Sequence, residues 1–244
     1  EADMFIKCDS LKNIEIPTSV KSIGSRAFNA CKSLKKIIIP SSVHEIGEKA
    51  FFECQNLQEI SIPSLKIIES SGFGYCSSLT EIKIPDSIEK IKNNAFMNCK
   101  SLKKIKIPSN VKEIGHCSFK DCEKLNELIM DPYETQIQND SFLNCTSLVH
   151  FIFDENITQV HQYDNKLIPT IKKVSLPKSA EIIKWSSFSQ FSTLEEIVIP
   201  STITEISSNS FNECISLIQI TIPSSVRSIG SSSFKGCSSL RQVT

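Results

Sequence analysis

CKSLKKIIIPSSVHEIGEKAFFEC, residues 31 to 54, is the unit from which the chain is built, because its apolar spacing recurs about every 23 residues. Leu34, Ile37, Ile39, Pro40, Val43, Ile46, Phe51 and Cys54 hold fixed offsets from Cys31. Between them the residues vary toward Lys, Glu, Ser, Gln and Asn. A strict period of this length marks an array in which each unit buries its apolar side against its neighbours, since one unit alone has no core of its own. The fixed positions are therefore the inside, and a polar change such as Ile105→Asp would disrupt several units at once.

Upstream, Phe5 and Cys8 close one unit, and Leu11, Ile14, Ile16, Pro17, Val20, Ile23, Phe28 and Cys31 make the next. Downstream, Leu57, Ile60, Ile62, Pro63, Phe73 and Cys76 form a version one residue shorter, with the deletion between Pro63 and Phe73. Regular units end at Cys99 and Cys122. The sixth drifts, with its proline one place late as Pro132 and only Ile137 before Phe142 and Cys145. From Cys145 to Phe191 is two periods, although residues 154 to 170 lack a cysteine. There Ile168 and Phe191 take the cysteine place and Asn165 the phenylalanine place. Regular units end at Cys214 and Cys237. The expectation is one domain, residues 1 to 244, of about ten repeats of 22 to 23 residues, irregular near 131 to 136 and 154 to 170. Neither end shows a polar cap, which predicts a segment of a longer array or ends that are covered.

Within the unit, L-x-x-I-x-I alternates as a short strand does, and the following proline removes a backbone donor and stops it. V-x-x-I, followed by Gly24, Gly47, Gly115 or Gly230, predicts a turn and a second, smaller ladder. A-F-x-x-C reads as a single helical turn on the outer side. Stacking places like strands about 4.8 Å apart. The fold class that follows is an α/β repeat solenoid.

With 27 basic and 27 acidic residues the formal charge is zero, so no net field draws the chain to nucleic acid or an anionic membrane. No run of 18 apolar residues appears, and EADMFIKCDS lacks the basic start and apolar core of a signal peptide. Three glycosylation-type triplets, at Asn139, Asn144 and Asn156, lie in the irregular middle.

The string L-x-x-I-x-I-P-x-x-V-x-x-I-G-x-x-A-F-x-x-C resembles the BspA-like class of leucine-rich repeats, with L-x-x-I-x-I standing for the general L-x-x-L-x-L core, over nearly the whole chain. The resemblance implies a right-handed solenoid with a parallel sheet on its concave side. It also implies proteins of bacteria and parasitic protists, often placed at cell surfaces for adhesion and partner binding.

Nine of the ten cysteines share one place in the repeat, and Cys117 stands apart. Cysteine packs as a small buried hydrophobe, and the replacement by Ile168 and Phe191 argues against a bridge or metal ligand. Free buried thiols are expected. His116, Cys117 and Cys122 are the one weak metal-like grouping. There is no H-E-x-x-H, G-x-S-x-G, G-K-[ST] or G-x-G-x-x-G. His44, His116, His150 and His161 sit at different offsets, and Glu195-Glu196 reads as a solvated pair. No catalytic residue, metal or cofactor is assigned.

The outward residues of successive strands form two columns that are not uniform. A basic spot at Lys104 and Lys106 is followed by Glu127, an apolar step at Ile129 and Ile152, His150, and then Lys173. Exposed apolar residues on a strand face mark a contact surface. These seven residues are the candidate site for a protein partner, with the isoleucines at its centre and the charges as its rim. The expected function is a non-catalytic binding or adhesion module at the cell surface or secreted, with neither nucleic acid nor membrane insertion involved. The alternative is a cytoplasmic scaffold built from the same repeats.

Overall fold

The computed structural model describes residues 1–131, 135–162 and 170–244. Pro132, Asn165 and Ile168 lie outside them. The chain divides into two compact units, one of Glu1–Asn126 with Glu134–Leu148, the other of Glu127–Tyr133 with Val149–Thr244.

Each unit is a stack of coils joined by parallel strands, a β-solenoid. The L-x-x-I-x-I segment gives strands such as Lys36–Ile38 and Glu59–Ser61, paired in register with Ile37 against Ile60. Their middle residue is buried and the flanking two are exposed, as a pleat with one dry face requires. In the second unit Glu127–Met130, His150–Phe153, Lys173–Ser175 and Glu196–Val198 pair in the same way. The expected smaller ladder is present as two-residue strands. Ile67–Ile68, Lys90–Ile91, Glu113–Ile114 and Gln136–Ile137 form one run, and Gln159–Val160, Ile182–Ile183, Glu205–Ile206 and Ser228–Ile229 another.

The outer segment corrects the expectation of helical turns, for no helix forms among the described residues. Residues in A-F-x-x-C and just before it take positive φ at every fourth place, as at Arg26 and Ala30, Lys49 and Glu53, Asn94 and Asn98, and Asn209 and Glu213. A left-handed residue reverses the winding, so an α-helix cannot continue through it. What forms instead is a wall of successive turns in which alternate N–H groups point two ways. The N–H groups of Ala50, Phe52 and Cys54 donate to the carbonyls three residues back, at 3.1 to 3.2 Å. Those of Lys49, Phe51 and Glu53 donate to Ser70, Gly72 and Gly74 of the next coil, at 2.9 to 3.0 Å. Each left-handed residue costs about 1–2 kcal/mol, and the inter-coil bonds offset it.

Three interior columns follow from this wall. Seven phenylalanine rings, from Phe5 through Phe28, Phe51, Phe73, Phe96 and Phe119 to Phe142, stack at centroid distances of 5.2 to 5.6 Å. Phe188, Phe211 and Phe234 repeat the arrangement in the second unit. The position before phenylalanine is filled in the inner coils by Ala27, Ala50, Gly72 and Ala95 or by buried serines. Ser118 Oγ lies 2.6 Å from the Gly115 carbonyl and 3.1 Å from that of Lys92, so its hydroxyl satisfies the space an alanine leaves apolar. Phe191, standing in for cysteine, is buried and meets Phe188 edge-on at 5.5 Å.

One stretch departs from register. The smaller ladder has no pair joining Glu45–Ile46 to Ile67–Ile68, in the coil that is a residue short. In the following coil Ile82 stays buried in line with Ile60, yet Glu81–Ile84 forms no strand.

The turn wall makes a direct prediction at Lys49, whose φ is 56°. Lys49→Gly is expected to leave the thermal midpoint unchanged or raise it, whereas Lys49→Val is expected to lower stability by about 1–2 kcal/mol. A helical turn would reverse that order.

Candidate functional site

On the sheet of the second unit the registers set side chains into rows. Leu128, Phe151, Val174 and Ile197 point inward and are buried. Outward, Glu127 pairs with His150 and His150 with Lys173, while Ile129 pairs with Ile152 and Ile152 with Ser175. Five of the seven predicted residues, Glu127, Ile129, His150, Ile152 and Lys173, therefore share one face. Ile129 and Ile152 are half-buried rather than fully exposed, since each flanks the other in register. Val198, next in that column after Ser175, is 46% exposed and continues the apolar strip.

The polar row beside it is tied together internally. His150 Nε2 and Ser175 Oγ are 2.8 Å apart, and His150 Nδ1 is 3.8 Å from Glu127 Oε1. Lys173 Nζ donates to Glu196 Oε1 at 2.9 Å. Such exposed pairs add little stability, but they fix the polar groups around an apolar centre.

Lys104 and Lys106 flank the buried Ile105. They are the exposed ends of a three-residue strand in the first unit, where they line a groove of about 690 Å³ with Lys36, Glu59, Glu81 and Lys83. The sequence reading also passed over Ile38, which at 66% is the most exposed large apolar side chain among the described residues and lies in the same groove. Its place in the outward column was the available signal. Among the described residues no group of three or more His, Cys, Asp and Glu is arranged to hold a metal. No helix there is long and apolar enough to cross a membrane.

Comparison with known proteins follows this geometry. The family profile described as BspA type leucine rich repeat region matches, with six copies, over residues 1–126, 66–164 and 165–244. Among solved structures, a leucine-rich repeat protein from Bacteroides ovatus is 27% identical, with a TM-score of 0.49, over 99% of this chain and 74% of its own. A leucine rich cell surface protein from Faecalibacterium prausnitzii is 25% identical, with a TM-score of 0.43, over 96% and 78%. The pneumococcal vaccine antigen PcpA is 19% identical, with a TM-score of 0.35, over 95% and 71%. No match was found among curated protein sequences.

The cysteines are free, and their column is structural. Cys54 Sγ donates to the Phe28 carbonyl at 3.1 Å, and Cys31, Cys76, Cys99, Cys122, Cys145, Cys214 and Cys237 repeat the contact one coil on. The same Phe28 carbonyl accepts the Cys31 N–H at 3.2 Å, so the thiol fills the second lone pair. Burial pushes Cys31 up to about 11 and Cys99 up to about 12, and raises Cys54, Cys76 and Cys122 well above the usual thiol range. A hydrogen bond between Cys214 and Cys237 raises the former and lowers the latter. None of these is an activated nucleophile of the kind an electropositive, accessible site makes.

For a thiol raised in the folded state, the unfolded chain loses its proton first as pH climbs. The contribution to stability is whole below the ordinary value of 9.0 and is lost as pH rises through the folded values. The urea midpoint is expected to hold from neutral pH to about 9 and then fall toward about 11 to 12, with a shallower fall for Cys99→Ala. Unfolding followed by circular dichroism across that range checks both.

Proposed function

This chain belongs to the BspA-type leucine-rich repeat family, and from that premise we propose that it is a non-catalytic binding module that holds another protein against the outward face of its sheet. The observation that carries the reading is the in-register pair Ile129 and Ile152, extended by Val198 and bordered by Glu127, His150 and Lys173. An apolar centre inside a polar rim is the composition of a protein-binding patch, and burying such a centre is where binding energy concentrates. The rows are held on paired strands, so the surface is set before a partner arrives and little ordering entropy opposes docking.

We place this role at the cell surface, in adhesion or partner capture. A surface location accords with the Faecalibacterium relative, described as a cell surface protein, and with the pneumococcal relative, described as a vaccine antigen. A second reading, an intracellular scaffold, is favoured by one observation: all ten cysteines are free, as in a reducing compartment. Locating the full-length gene product in fractionated cells separates the two.

The binding role is tested by capturing partners on the immobilised chain, identifying them, and measuring each by surface plasmon resonance. Ile129→Asp with Ile152→Asp is expected to weaken the true partner by about thirtyfold or more, with an unchanged circular dichroism spectrum. Equal binding by the double variant removes the proposal.

A further inference from the structure

The registers that carry the binding face also fix its spacing. Ile129, Ile152, Ser175 and Val198 are successive partners on four parallel strands, so their outward side chains form one row across the sheet, about 4.8 Å from each to the next. Val198 is 46% exposed, and Ile129 and Ile152 are half-buried. Ser175 has its hydroxyl 2.8 Å from His150 Nε2 and so belongs with the polar row. The apolar strip is therefore one residue wide, runs about 14 Å across the strands, and is interrupted at its third place.

That pattern discriminates between the backbones a partner can lay along it. An α-helix rises about 1.5 Å per residue, which puts positions i, i+3 and i+10 of one face at about 0, 4.5 and 15 Å. Ile129, Ile152 and Val198 stand at about 0, 4.8 and 14 Å. Position i+7, at about 10.5 Å, meets Ser175. An extended strand returns to the same face about every 6.7 Å, so its second side chain falls between Ile152 and Ser175. A polyproline helix returns about every 9.3 Å, and its second side chain falls on Ser175.

The neighbouring row adds charge. Glu127, His150, Lys173 and Glu196 line it in the same registers, two carboxylates to one ammonium, and Lys173 is bonded to Glu196 at 2.9 Å. Glu127 stands at the Ile129 end, with Oε1 3.8 Å from His150 Nδ1. Basic side chains along this flank of a partner complement the carboxylate excess, and acidic ones meet repulsion.

We propose that the partner of this face is an amphipathic α-helix of another protein, laid across the strands. It carries apolar residues at i, i+3 and i+10, a small polar residue at i+7, and lysine or arginine on the flank over Glu127. This rests on the reading of the face as a protein-binding surface and names what that surface takes. Successive turns of the helix sit over successive strands, and its apolar stripe is buried against a strip of matching width.

Fluorescence anisotropy on the full chain tests this with a labelled, alanine-based helical peptide that has leucine at i, i+3 and i+10, serine at i+7 and lysine on its flanks. Saturable binding is expected, weakened about tenfold by Val198→Asp and about thirtyfold by Ile129→Asp with Ile152→Asp. A peptide with glutamate in place of lysine, and a strand-forming one with valine at alternate positions, are each expected to bind about tenfold more weakly. Circular dichroism confirms that the variants are folded and the first peptide helical. The proposal is overturned by no saturation at millimolar chain, by equal binding of the glutamate or the strand-forming peptide, or by undiminished binding to either variant. A strand-forming peptide that binds more tightly and is lost in the isoleucine variant overturns the helix while leaving the face a protein-binding surface, so the two readings fail separately.

Discussion

Everything in this chain depends on its returning to the same place every 23 residues or so. The turn wall enforces that return. Left-handed residues at every fourth position turn alternate N–H groups toward the next coil, so coil-to-coil hydrogen bonds form where a helix would have kept them to itself. Once those bonds set the spacing, rings stack within 5.2 to 5.6 Å in the first unit, thiols reach the carbonyls of the preceding coil, and serines bridge the same step. Each column is shallow in energy taken alone. Because each uses the same displacement, they reinforce one another, which is the consistency expected of a sequence that specifies one structure.

Much of this was legible from residues. The positions of Ile37 and Ile60, of Phe51 and Cys54, and of the V-x-x-I ladder all follow from side-chain type, because burial selects apolar groups and the pleat selects alternation. The left-handed places were not, since they hold Arg26, Lys49, Ser71, Cys117 and Gln190 as readily as Asn94 and Asn98. Backbone direction there is imposed by the neighbouring coil rather than by the residue itself. A hint did exist in Asp140, Asn144 and Gly236, residue types that tolerate positive φ.

The outward face was readable to the same degree. Alternation correctly put Glu127, Ile129, His150, Ile152 and Lys173 on one surface, because the registers are parallel and unshifted. It did not foresee that Ile129 and Ile152 shield one another. The segment of residues 81–84, which forms no strand, follows the coil that is one residue short. The deletion between Pro63 and Phe73 thus precedes a change in strand pairing, which no inventory of side chains displays.

The thiol column has a use beyond packing. Seven of its sulfurs, one in each of seven different coils, are sealed from solvent, while Cys8, Cys117 and Cys237 are half-covered. An alkylating reagent reaches a sealed sulfur only while its own coil breathes open. The protein thus carries its own ruler of local opening: pulse labelling read by mass spectrometry reports which coils part, and how often, without any residue being engineered into the chain.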